Sequence, residues 1–336
     1  MTALPAPRGG LTAVLLERLR LPVHDLGPVP SVPTFDPLAD EDLQLALYLM
    51  YELHYRGLPG VDPRWEWEPT LLRVRRELET AVEEALVGAL GPPSGAPAPE
   101  EMDLGLRAVL DASDGPSLSR HIERDATLEQ VLEFVVHRSA YQLKEADPHS
   151  WALPRLSGPP KAALVEIQAD EYGGGRRERM HAELFARTME AVGLDSTYGA
   201  YLDRIPALTL ATVNVLSLFG LHRRWRGALI GHLAVFEMTS SIPNGRYAAG
   251  LRRLGFDGRA TAFFDEHVEA DAVHENIAAV DLAGGLARQE PELGPDVIWG
   301  ARALADVEDR WSRALLAAWK EGRSSLRLPL APAVAA

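Results

Sequence analysis

The sequence predicts an all-α protein of about seven core helices behind an N-terminal helical unit, and three observations predict it. Apolar residues recur at helical spacing through most of the chain, strand-like alternation of apolar and polar residues is scarce, and Gly and Pro mark the gaps between periodic segments. In order along the chain, "DPLADEDLQLALYLMYELHYRG" enters through Asp and Pro and stops at Gly57. "EPTLLRVRRELETAVEEALVGAL" carries Pro69 in its first turn and ends before Gly91. These two helices form the N-terminal unit.

"GPPSGAPAPEE", residues 91–101, is a Pro/Gly/Ala connector and marks a boundary. The expected division is an N-terminal extension with its connector over 1–100, a core over 101–323 and a tail over 324–336. Helical segments of the core follow as "TLEQVLEFVVHRSAYQLKEAD", "PPKAALVEIQADEY", "ERMHAELFARTMEAVGL", "TLATVNVLSLFGL", "RWRGALIGHLAVFEMTSS", a helix over 261–283 and "VIWGARALADVEDRWSRALLAAW". The last dozen residues, "SLRLPLAPAVAA", are expected to lie over the surface or fray.

Composition limits the function classes. A chain of 336 residues with 46% hydrophobic content can bury a real core. Its 34 Lys+Arg against 48 Asp+Glu leave a formal net charge of -14, which argues against a nucleic-acid partner. The absence of Cys excludes disulfides, thiolate metal sites and a cysteine nucleophile, so any metal must take His and carboxylate. No apolar run reaches the roughly 18 residues that span a bilayer, and Glu17 and Arg18 interrupt the one near the N-terminus. The expectation is a cytoplasmic protein with no membrane partner.

"FDEHVEADAVHENIA" places His267, Asp271 and His274 at i, i+4 and i+7, within a narrow arc of one helix face. The plain alternative is a surface pair of His267 and Asp271 with His274 packed beside it. Carboxylates elsewhere make a metal site the stronger reading, because a diiron site in a helical bundle draws inward-facing Glu and His from several helices. Glu237 stands among Leu, Ala, Val, Phe and Met, where a lone carboxylate is costly unless paired or bound. Glu145 ends its helix just before a Pro turn.

Glu171 lies ten residues before His181 in "EIQADEYGGGRRERMH". A straight helix would separate the two by about 15 Å and about 80°, so they can share a site only if the chain breaks at Gly173-Gly174-Gly175. Glu178 and His181 have the Glu-x-x-His spacing of ferritin-like diiron proteins and need no break. Spacing alone leaves Glu171 and Glu178 as rivals.

These residues resemble the haem-oxygenase-like diiron oxidases and oxygenases, the iron-containing redox enzymes. The resemblance runs from about residue 125 to 285 and rests on "KEADPH", "EIQADEYGGGRRERMHAELF", "VNVLSLFGLHRRWRGALIGHLAVFEMTSS" and "HVEADAVH". It implies a haem-oxygenase-like bundle with two irons bound by Glu145, Glu171, His181, His267, Asp271 and His274. Glu237 matches the additional carboxylate of members with a seventh ligand and would act at the reacting centre. The resemblance favours Glu171 over Glu178 and gives the N-terminal extension a role in homodimer formation.

The implied activity is O2-dependent oxidation of a small molecule with an external electron donor. N-oxygenation of an amine or amino-acid-like substrate in a biosynthetic pathway is preferred, because the long interval from the DEYG glutamate to His181 is similar to the N-oxygenating branch. The alternatives are C–C cleavage of an aliphatic acid or amino acid, and a non-catalytic ligand- or partner-binding protein on the same scaffold. Arg223 and Arg226, with Arg224, are candidates to hold a substrate carboxylate, and Tyr172 or Ser240 to donate from the pocket wall. His149 and His232 read as supporting or core residues, and Glu133 with His137 as a structural i,i+4 pair.

Overall fold

The structure, a computed structural model, describes residue 1 and residues 3–32, 34–112 and 114–330, with all their side chains except those of 269–273. Among the described residues there is no strand. The helices are α1 (Gly10–Leu19), α2 (Glu41–Glu52), α3 (Pro69–Leu90), α4 (Met102–Asp111), α5 (Leu118–Arg124), α6 (Leu128–Gln142) and α7 (Gly158–Glu171). They continue as α8 (His181–Ala191), α9 (Ala207–Leu221), α10 (Arg226–Met238), α11 (Ser241–Arg253), α12 (Gly258–Asn276), α13 (Gly285–Gln289) and α14 (Gly294–Lys320).

Capping fixes several starts. Asp40 accepts from the backbone N–H groups of Asp42 and Leu43 to open α2. Glu68 accepts from Leu71 ahead of Pro69 to open α3, and Thr127 with Gln130 forms a capping box for α6. α9 and α10 are buried on nearly every face and form the centre of the bundle. α10 meets α14 at very close range: a Cβ on Gly231 would fall 1.8 Å from the carbonyl oxygen of Val297, and one on Gly300 would fall 2.0 Å from that of Ala228. Glycine on both helices is what lets two central backbones touch.

The N-terminal helices share this core. One apolar cluster runs from Leu11 on α1 through α2, α3 and α9 to Leu326, so residues 91–101 are a surface connection within a shared core. α1, α4, α5, α11 and α13 go beyond the sequence expectation. They are short or carry Pro and Asn-Gly, and they depend on packing more than on propensity. Gly250 of α11, for example, lets its backbone approach that of Ile122 in α5.

Two further expectations change. The predicted helix over 261–283 is α-helical only to Asn276 and continues as a π-helix, Ile277–Gly284, packed against α7 and α10. The tail is anchored rather than frayed over its described part. Glu133 accepts from Trp319, Ser324 and Ser325, Leu326 is buried, and Arg327 pairs with Glu41. His137 therefore does not pair with Glu133. It bonds Thr209 and Ser325 instead, and both residues secure the chain after α14. Residues 331–336 lie outside the described residues.

Candidate metal centre

Five segments bring buried carboxylates and imidazoles to one point. Glu145 stands in the turn after α6, beside Ala146, whose φ of 71° is the one positive value outside glycine among the described residues. Glu171 is the last residue of α7. Gly173, Gly174 and Gly175 follow with φ of 64°, 59° and 78°, a left-handed path that suits glycine. The chain then returns so that His181 opens α8. Glu237 lies near the end of α10, and His267 and His274 lie on α12.

One ligand atom from each of Glu145, Glu171, His181 and His267 lies within 4.8 Å of the others, and the same holds for Glu171, Glu237 and His274. Glu171 belongs to both groups. His181 Nδ1 lies 3.0 Å from Glu171 Oε2, yet both atoms are buried without a hydrogen-bond partner, as is Glu145 Oε2. Lone pairs facing one another out of water are costly unless a cation or proton stands between them. Hard carboxylates with imidazole form a donor set that suits iron, so the residues present fit an iron centre, with Glu171 common to both groups.

Polar contacts aim the imidazoles. His267 Nδ1 lies 2.8 Å from the carbonyl oxygen of Phe263, which assigns the proton to Nδ1 and turns Nε2 toward Glu145, 3.6 Å away. His274 is held the other way round, with Nε2 3.2 Å from Asp170 Oδ2 and Nδ1 3.5 Å from Glu237 Oε2.

Titration follows from the same geometry. Burial raises the Glu145 carboxyl, against the pull of His267. Burial pushes Glu171 in the same direction, but His181, then His267 and His274, draw it below its usual range. His181 is opposed by burial and drawn up by Glu171.

A family model described as iron-containing redox enzyme matches residues 132–309, more than half of the chain and every residue of the cluster. The chain belongs to the iron-containing redox enzyme family. Its all-helical structure agrees with the haem-oxygenase-like fold expected from the sequence. A curated relative, nitrosourea synthase of Streptomyces achromogenes subsp. streptozoticus, is 27% identical over 190 residues, 55% of this chain. The match spans 40% of that relative's length.

In this iron-containing redox enzyme the two rival glutamates separate in space. Glu171 enters the cluster, whereas Glu178 sits exposed in the 3-10 turn Arg177–Arg179. Asp271 falls on α12 between His267 and His274, and its side chain lies outside the described residues.

The arginine candidates lie away from the cluster. Arg226 pairs with Glu290 at the opposite end of α10 from Glu237, about 16 Å along the axis. Arg223 is exposed beside it, and Arg224 pairs with Glu83. Tyr172 spends its hydroxyl on Asp147 Oδ1 at 2.8 Å and Ser150 Oγ at 3.0 Å. His149 and His232 face one another in the core, Nε2 to Nδ1 at 3.3 Å.

Sequence reasoning missed two neighbours of the cluster. Asp170 holds His274, and its place beside Glu171 in the DEYG block was the available signal. Tyr141 is buried edge-on to Phe236 at 5.3 Å. Its phenol is pushed well up by burial and then by the charges of Glu145, Glu171 and Glu237. A Tyr one turn before a candidate ligand was its only mark in the sequence.

A cavity of about 270 Å³ is lined by neighbours of the cluster residues in sequence, though by none of those residues themselves. Phe185 and Phe264 in its wall stand four and three residues from His181 and His267, so α8 and α12 present the cluster and the cavity on the same side. Ser240, Phe236 and Gln142 line it as well. Farther along, Arg138 and Glu308 form two parallel hydrogen bonds of 2.9 Å, with the guanidinium over Trp311 at 4.1 Å.

Proposed function

We propose that the chain is a non-haem diiron oxygenase that uses O2 to oxidise a small molecule, by preference an amine nitrogen. The observation that carries this reading is Glu171, a buried carboxylate common to two ligand groups. Glu145, His181 and His267 would complete one iron position. Glu237 and His274, with Asp271 as the resemblance implies, would complete the other. Iron held there supplies the redox capacity to reduce O2 in contact with a bound substrate.

The surrounding chain binds and shields. Phe185, Phe236 and Phe264, each within four residues of a cluster residue, give the cavity aromatic walls that would keep bulk water from the reacting centre. Tyr141 remains protonated, held so by burial and by the nearby carboxylates, and keeps a hydroxyl hydrogen available as a hydrogen-bond donor. Conversion of an amine N–H to N–OH takes one oxygen atom of O2. The other leaves as water with two protons and two electrons from an external donor.

The name of the relative, nitrosourea synthase, denotes a product with an oxidised nitrogen, and this supports nitrogen as the site of oxidation. The test is anaerobic loading with Fe(II), measurement of iron per chain, and mixing with O2 in the presence of candidate amines. Two irons per chain, a transient visible absorbance and a hydroxylated amine are expected. Iron binding without O2 consumption would end the oxygenase reading, and absence of iron binding would return the chain to a non-catalytic ligand-binding role.

A further inference from the structure

The turn that carries Glu145 is gripped from the N-terminal helices by a buried ion pair. Lys144, its immediate neighbour, is 1% exposed and donates to Glu52 of α2, which is fully buried. The ammonium lies 4.4 Å from the ring centre of Tyr55 and 5.0 Å from that of Tyr48, and Tyr198 donates to Glu52 Oε1 at 2.7 Å. Arg56, just beyond α2, donates to the carbonyl oxygen of Leu143 at 2.8 Å and approaches Asp147 at 3.8 Å. From α7, Gln168 donates to the carbonyl oxygen of Ala146 at 3.0 Å. A five-residue turn is thus held at Leu143, Lys144, Ala146 and Asp147, while Glu145 alone faces the cluster.

We infer that Glu52 and Lys144 are positioning residues, through which the N-terminal helices set the place of Glu145 in the metal centre. This rests on the reading of the cluster as a metal site. Two physical arguments carry it. A buried ion pair is a poor way simply to join two helices, because apolar residues of similar volume do so as well or better. This pair is also incompletely satisfied, since Glu52 Oε2 is buried with no partner. Second, the turn contains Ala146 in a left-handed conformation, which persists only where surrounding contacts over-determine it. Lys144 and Glu145 leave the same turn in different directions, so fixing the ammonium on α2 fixes the direction of the carboxylate.

The test compares the full-length protein with E52L/K144M, which replaces the pair by apolar side chains, and with E52Q, which breaks it. Glu133→Gln serves as a control, because Glu133 is also buried and hydrogen-bonded but anchors the segment after α14. Metal-free thermal unfolding and anaerobic titration with Co(II), followed by its visible absorption, are measured on each.

The wild type is expected to take two Co(II) per chain. E52L/K144M should keep its unfolding temperature while one of the two equivalents weakens on the order of ten- to a hundred-fold, with an altered cobalt spectrum. Glu133→Gln should lose stability with both equivalents intact. Two tight equivalents and an unchanged spectrum in E52L/K144M would overturn the inference, as would equal weakening in Glu133→Gln. If E52L/K144M does not fold, E52Q decides by the same criterion. A wild type that binds no cobalt would overturn the metal reading and this inference with it.

Discussion

His181 Nδ1 faces Glu171 Oε2 across 3.0 Å, and neither atom has a hydrogen-bond partner. Ten residues separate them in sequence, and a continuous helix would hold them about 15 Å apart. The three left-handed glycines between them close that distance, and the result is a pocket of lone pairs that fits a cation.

Replacing the two rival glutamates separates their roles. Because Glu171 belongs to both ligand groups, Glu171→Gln should abolish tight binding of both metals. Glu178→Gln should change metal affinity less than about twofold, as expected of an exposed side chain. Metal content after anaerobic Fe(II) loading and desalting checks this, and retention of one full equivalent by Glu171→Gln would refute the shared position.

Gly173→Ala should damage the centre more than Gly174→Ala does. Both have positive φ and each substitution stores about 1–3 kcal/mol of strain. Only at position 173 would the new Cβ also meet backbone, 2.6 Å from atoms of Arg179 and Met180, whereas nothing lies within 4 Å at 174. The chain before His181 must shift to accommodate it. Far-ultraviolet circular dichroism should show both variants helical, and metal content should fall sharply in Gly173→Ala alone.

How much of this was legible depended on how local each determinant is. The α12 face could be read because His267 and His274 obey helical periodicity, and the break before His181 because three adjacent glycines have a local meaning. Spacing could not choose between Glu171 and Glu178, since the choice depends on the path of the broken chain, and there the family resemblance pointed to the glutamate that enters the cluster. Arg223 and Arg226 illustrate the opposite limit. Their charge was visible, but Glu290, which neutralises Arg226, lies 64 residues away in sequence. Gly231 and Gly300 were equally silent, because the contact that requires them forms only when α10 and α14 pack.

Asp170→Asn should weaken one metal and leave the other. Asp170 Oδ2 lies 3.2 Å from His274 Nε2, and the opposite ring nitrogen lies 3.5 Å from Glu237 Oε2. Carboxylates in this relation to a metal-binding imidazole typically contribute about 10–100-fold in affinity. His267 takes its orientation from the backbone of Phe263, so its group is unaffected. Competitive titration with a chelator should show one equivalent shifted by that factor, and no shift would remove Asp170 from the site.

Stability should fall with acid earlier than carboxylate protonation alone would bring about. Burial holds His137 and His232 at about 3, with Arg138 adding to the effect at His137, and pushes His149 well below its usual 6.5. Between pH 6.5 and 3 the unfolded chain binds protons at these rings that the folded chain does not, so unfolding free energy rises with pH across that window. The contribution is complete above about pH 6.5 and is lost as pH falls, at up to about 1.4 kcal/mol per pH unit for each ring. His232→Phe retains a ring beside Phe236, on which His232 stacks at 6.2 Å, and removes one such site. Urea unfolding of the metal-free protein at pH 6 and pH 5 should therefore show a pH slope smaller by about one proton in the variant. Equal slopes would mean that His232 already titrates in the folded state, which its burial against His149 and Phe236 opposes.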